Sequence, residues 1–298
     1  MLFSRKLSNH KYVMWLIGSS IISALSLTAC ANLKNSAPSQ EEPLPLEKAI
    51  SNHESPFSIT GADMDIDVTD AYIVDLAEQE DTYTITEAGD YLLFGSLNGS
   101  ICIDAEEQIV HLILDGASIR SNEGSAISVL SAGKLVLTLN TDTVNYVSDS
   151  SKYNTSDQEN ACIYSVCDLT INGEGTLDIQ GYHMDGIHSK DVVKILGGEI
   201  HVLAKRDGIR GNDGILVATD QLNIESEKSG LHTTKTTKKT GGDIEITGGD
   251  LSIVAGEYAI SSIGDFWAYD CNIYTKSILA SLSVEGNQTI QEGCMVNE

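Results

Sequence analysis

"MDGIHSKDVVKILGGEIHV" (Met184–Val202) and "RDGIRGNDGILVATDQLNI" (Arg206–Ile224) are nearly the same phrase written twice. Each contains Asp-Gly-Ile, carries a second Asp four residues after that Ile, and runs into alternating aliphatic residues. The copies start 22 residues apart, too close for two domains and suited to successive turns of a repeat.

Aligning the chain on that Ile gives Ile127, Ile163, Ile187, Ile209, Leu231 and Ile260, at steps of 36, 24, 22, 22 and 29 residues. The residue before each is small: Ala126, Cys162, Gly186, Gly208, Gly230 and Ala259. Eight residues after three of them stand Ile171, Ile195 and Val217. Short alternating runs such as "KLVLTLN" and "DIEITGG", punctuated by Gly, Asn and Asp, read as strands joined by turns. A coil of such strands cannot bury its apolar side alone, so it stacks on its copies. In a parallel β-helix the coils lie about 4.8 Å apart and equivalent residues form columns. The small residue then marks a bend too tight for a large side chain. A β-sandwich or propeller needs frequent hairpins, and two-residue hairpin signals are few. The expected fold is all-β, a single-stranded parallel solenoid of about seven or eight coils. The long first step falls in "NYVSDSSKYNTSDQEN", residues 145–160, expected as a surface excursion. Ala71–Glu80 is expected to form one short helix.

Stacking puts Asp185 over Asp207, and Asp191 over Asp213. Two carboxylates about 5 Å apart repel by about 1 kcal/mol in water and by several times that when partly buried. Something positive must sit there. Calcium accepts roughly six to eight oxygen ligands in irregular geometry, so these four Asp residues are candidate calcium ligands, with Asp168 close by on the preceding coil. The pattern is two coils deep: Ser229 and Lys235 follow it, and Ala161 and Cys167 precede it. The other reading is solvated turns, because Asp before Gly caps local amides.

The chain opens with basic Arg5, Lys6 and Lys11, an apolar run from Val13 to Leu27, and Leu27-Thr28-Ala29-Cys30. The run is short for a membrane span, and the ending resembles a bacterial lipobox. Residues 1–29 are therefore expected to be a lipoprotein signal peptide, with lipidation at Cys30. Residues 30–58 hold all four prolines and read as a flexible tether. Residues 59–298 form the β-helix domain. The protein is then expected in the cell envelope, outside the cell, held to the bacterial membrane only through Cys30. Without its leader the chain has 15 Lys+Arg against 43 Asp+Glu, which argues against nucleic acid as a partner. Five further cysteines (Cys102, Cys162, Cys167, Cys271, Cys294) read either as small buried hydrophobes or as including one late pair, Cys271 with Cys294.

From about Tyr83 to Cys271 the sequence resembles the bacterial carbohydrate-binding β-helix family first described in clostridial surface proteins. The phrases that carry this include "YTITEAGDYLLFGSL", "HLILDGASI", "ACIYSVCDLTINGEGTLDI", "DGIHSKDVVKILGGEIHV", "DGIRGNDG" and "TGGDIEITGGDLSIVAG". The resemblance implies a right-handed parallel β-helix, structural calcium between coils, and binding to a cellulose- or pectin-like polysaccharide.

The expected function is a non-catalytic polysaccharide-binding module with Tyr164, Tyr182, Trp267 and Tyr269 as stacking residues. Aromatic residues are only 6% of the chain, and no dense aromatic strip appears. One alternative is a calcium-dependent, pectate-lyase-like enzyme. It needs a base near the metal, and Lys190, Lys205, Arg206 and Arg210 flank the Asp columns; equally, they neutralise an acidic turn. Another is a surface scaffold or adhesin. No Ser-His-Asp set, phosphate loop or dinucleotide fingerprint is present.

Overall fold

The computed structural model describes residues 5–6, 53–64, 68–153, 159–235 and 241–297. Cys30 and the tether up to residue 52 lie outside them, and of the leader only Arg5–Lys6 is described, paired antiparallel with Tyr72–Ile73. From Tyr72 onward the strands pair in parallel, each with its counterpart about one coil away. The architecture is the expected parallel β-helix.

Three faces wind around one core. The first has nine strands, from Thr82–Ile85 to Ala280–Val284. The second runs from Tyr72–Asp75 to Gln288–Ile290, and the third from Val144–Ser148 to Met295–Asn297. Second and third faces share one sheet because the long strand Ile109–Arg120 turns the corner between them, pairing with Lys134–Leu139 and then with Val144–Ser148. Nine strands on the first face exceed the seven or eight coils expected, because the aliphatic column continues to Ile101 before Ile127 and to Leu282 after Ile260.

That column pairs residue for residue: Ile127, Ile163, Ile187, Ile209, Leu231, Ile260. Ile171, Ile195 and Val217 form a second column on the second face. All are buried and belong to a single apolar cluster that runs the length of the solenoid. The small column has its steric cause. A Cβ on Gly186 would come 2.3 Å from Val202 Cγ1, and one on Gly208 2.3 Å from Ile224 Cγ2.

Two local expectations are corrected. Ala71–Glu80 is not an α-helix. Tyr72–Asp75 is a strand, followed by one 3-10 turn, Leu76–Glu78, whose Ala77 amide is capped by Asp75 Oδ1 at 3.0 Å. The excursion also starts later than residue 145, because Val144–Ser148 is a strand of the third face. Asn145 is wholly buried there and bonds the backbone of the neighbouring coils: its Oδ1 accepts from Ala117 N at 2.9 Å and its Nδ2 donates to Thr176 O at 3.2 Å. A polar residue doing backbone work inside a coil looks like a loop residue in sequence. The five cysteines are free thiols, and all but Cys102 are buried.

Residues 53–63 do not trail away from the domain. They form a strap that runs along the axis over an outward-pointing column of the second face: Val136, Thr170, Lys194, Leu216, Glu245, Trp267. Asp63 is fully buried at one end of the strap. It accepts from Lys134 Nζ at 2.7 Å and Thr170 Oγ1 at 2.6 Å, and lies 3.3 Å from Lys194 Nζ. Lys194 also donates to Ser58 O at 2.7 Å. Phe57 lies over Gly214, where a Cβ would come within 2.6 Å of its ring. Burial alone would raise the Asp63 carboxyl, but hydrogen bonds from Lys134, Thr170 and Thr60 outweigh it and hold the group well below the usual carboxylate range.

Candidate functional site

The Asp columns form as expected. Asp207 N donates to Asp185 Oδ1 at 3.0 Å, and Asp213 N donates to Asp191 O at 3.1 Å. The positive charge between them comes from the chain itself. Arg206 grips Asp185 with both arms, Nε to Oδ1 at 2.6 Å and Nη2 to Oδ2 at 2.5 Å, and its Nε lies 3.8 Å from Asp207 Oδ2. Asp207 is completed by His232 Nδ1 at 2.9 Å and Ser229 N at 3.2 Å. Asp213 pairs with Lys235, 2.5 Å from Oδ2. Asp168 lies off both columns and accepts from Val192 N at 3.2 Å.

This arrangement sets the charges. Burial pushes the Asp185 carboxyl up and Arg206 pulls it back only in part. For Asp207, burial is outweighed by His232, the Ser229 amide and Arg206, and the group falls below its ordinary value. The Asp185 carboxylate in turn raises the Arg206 guanidinium. These donors do not fit a calcium ion as they stand. Both Asp185 oxygens are occupied, and calcium needs roughly six to eight free oxygen ligands. Among the described residues, no three His, Cys, Asp or Glu side chains converge as a metal set.

The four candidate stacking residues separate. Tyr164 is 1% exposed, enclosed by His188 (ring centroids 5.6 Å apart) and by Lys190, so it offers a ligand no face. Its position on a rung of the first face, beneath neighbouring side chains, was not visible in composition. Tyr182 is 43% exposed at the end of the third face, its hydroxyl donating to Gln180. Trp267 and Tyr269 both point outward from Phe266–Tyr269 on the second face, beneath the strap.

The third face is the open one. Its outward column, in register coil after coil, reads Tyr146, Asp178, His201, Asn223, Ser252, Tyr274. At about 4.8 Å per coil it runs about 24 Å along the axis. Beside it lie Gln180, Leu203, Glu225 and Val254, which with Asp178, His201, Asn223 and Ser252 line a groove of ≈ 430 Å³. His201 is fixed between carboxylates, Nδ1 3.2 Å from Asp178 Oδ1 and Nε2 3.0 Å from Glu199 Oε1. Tyr146 carries Arg120 over its ring at 4.9 Å, and Tyr274 at the far end is 47% exposed. The sequence reading missed this face. Its residues are 22 to 32 positions apart, and only the coil register, applied to polar positions, would have lined them up.

The model of the family described as "carbohydrate-binding domain-containing protein" matches residues 79–294. This chain belongs to that family. A carbohydrate-binding domain-containing protein of Acetivibrio thermocellus (strain ATCC 27405) is 31% identical over 196 residues, which is 63% of this chain and 64% of that protein. The match therefore spans less than two thirds of that family member's length. A solved structure described as the polysaccharide lyase-like protein from C. thermocellum, a gadolinium derivative, superposes with a TM-score of 0.73 at 28% identity. It covers 76% of this chain and 98% of its own. The family match takes in all of the groove-lining residues and both Asp columns, but leaves out the strap.

Proposed function

We propose that this family member is a non-catalytic module that holds a polysaccharide chain along its third face. The supporting observation is the outward column Tyr146–Asp178–His201–Asn223–Ser252–Tyr274, half-buried to exposed, with polar side chains between terminal tyrosines. Sugar hydroxyls pair with such carboxylate, amide and imidazole groups, and the tyrosine faces accept the apolar side of a ring. The groove is acidic, through Asp178 and Glu225, with Glu199 against His201, and the chain carries a formal net charge of −25. That favours a neutral, cellulose-like glycan over an acidic, pectin-like one. In affinity electrophoresis of the full chain through hydroxyethylcellulose, His201→Ala with Asn223→Ala should lose at least five-fold in retention while the melting temperature holds. Unchanged retention would reject the third face as the binding site.

The lyase reading draws on the name of the structural neighbour and on the cations beside the Asp columns. Arg206 is the cation nearest the Asp pair, and its bidentate grip on Asp185 makes it a poor proton acceptor. The full chain should therefore give no rise in ultraviolet absorbance with polygalacturonate and calcium. A steady rise from unsaturated products would make it an enzyme. We assign the protein to the cell envelope as a lipoprotein attached at Cys30, so Cys30→Ser should move it from the membrane fraction to the soluble one. Calcium enters this reading only as a substitute for Arg206 between Asp185 and Asp207.

A further inference from the structure

On the second face, Glu245 and Trp267 are partners in adjacent coils, and Tyr269 stands two residues beyond Trp267. Glu245 points outward from the sheet, yet is 1% exposed, because the strap lies on it. Tyr269 donates its hydroxyl to Glu245 Oε1 at 2.5 Å, which aims the carboxylate toward the strap. The strap meets this trio in a particular way. Ser55 donates its hydroxyl to Glu245 Oε2 at 2.7 Å. The His53 ring lies against Trp267, with centroids 4.6 Å apart at 30°, and edge-on to Tyr269 at 5.9 Å. A ring on an indole and a hydroxyl on the neighbouring carboxylate are the two contacts a pyranose makes.

The fit is incomplete. His53 Nε2 is buried without a hydrogen bond among the described residues; Glu245 Oε2, 3.4 Å away, is badly aligned for one. A buried nitrogen left this way weakens the contact it belongs to. The other end of the strap is held much better, by Asp63 and two lysines. The strap is thus tied by two lysines at one end and by the Ser55 hydroxyl and the His53 ring over the aromatic pair at the other.

We propose that Trp267, Tyr269 and Glu245 form a second carbohydrate subsite, for a neutral sugar ring, and that His53 and Ser55 occupy it until a glycan displaces them. This rests on the polysaccharide-binding reading but uses a different face. An apparent affinity falls by the fraction of time its site is closed, so loosening the strap should strengthen binding.

The test is affinity electrophoresis of the full chain through hydroxyethylcellulose, with polygalacturonate as the acidic control. His53→Gly with Ser55→Gly should raise retention in hydroxyethylcellulose at least five-fold over the unaltered chain. Adding Trp267→Ala or Glu245→Gln should abolish that gain, with melting temperatures confirming that each variant is folded. If the unaltered chain binds through the third face and the loosened one binds no better, the subsite is overturned while the main reading stands. A gain that survives both Trp267→Ala and Glu245→Gln also overturns it. If neither chain is retained, both readings fall.

Discussion

Arg206 does at residue scale what a metal ion does in an oxygen cage: it reconciles stacked carboxylates. Its side chain is 24% exposed, whereas the Asp185 side chain is 0% exposed. Removing one partner of such a buried pair leaves the other charge uncompensated, at a cost of about 3–5 kcal/mol. Arg206→Ala should lower thermal stability by that order, and added calcium should recover part of it. Chelator should leave the unaltered chain's melting temperature where it is; a fall of several degrees would mean that calcium, not Arg206, joins the columns. Asp149 offers a second residue-scale test. It is buried, and burial lifts its carboxyl to about 6 despite hydrogen bonds from the Tyr153 hydroxyl at 2.8 Å and the Tyr182 amide at 2.6 Å. The folded chain therefore keeps a proton that the unfolded chain releases at about pH 4. This group's contribution to stability falls as pH rises between those two values and stays at its lower level above them. A carbon-detected titration should place the Asp149 midpoint near 6, and a midpoint near 4 would remove the argument.

At the scale of elements, two devices hold the coils: the close approach at the glycine column and the strap. A Cβ on Gly208 would come 2.3 Å from Ile224 Cγ2 within its own coil and 2.7 Å from Gly230 O on the next, so Gly208→Val must strain both contacts. Overpacking of this kind costs about 1–3 kcal/mol or more, and chemical denaturation should show at least that loss; a neutral variant would mean that the column is not sterically required. For the strap, Asp63 lies below the ordinary carboxylate range in the folded chain. Its contribution is thus complete above about pH 4 and is lost as pH falls through the lower, folded value. Asp63→Asn should speed amide exchange in residues 58–64 while Ile163, Ile187 and Ile209 stay protected. The aliphatic columns were legible because each coil repeats an inward apolar residue at a nearly constant step. The strap was not: its stretch is polar, Pro56 sits within it, and nothing local marks that Lys134, Thr170 and Lys194, far along the chain, would hold it down.

Over the whole molecule, the same register that stacks aliphatic residues inward also stacks polar residues outward. Inward columns were easy to read because burial restricts them to Ile, Leu and Val. Outward columns mix Tyr, Asp, His, Asn and Ser, so their order emerges only once the coil length is known at each step. The Asp pairs could be placed in advance, because Asp-Gly-Ile is written twice. The cation between them was less obvious, since a flanking Arg reads equally as a surface charge. Trp267 and Tyr269 stood among four candidate stacking residues, with no sign of the cover over them. On this reading the third face holds a neutral polysaccharide. This is tested most directly by comparing retention of the full chain and of Tyr274→Ala with His201→Ala in hydroxyethylcellulose gels. The first should be strongly retarded and the second at least five-fold less, with no change in melting temperature. Equal mobility of the two, or no retardation of either, would contradict it.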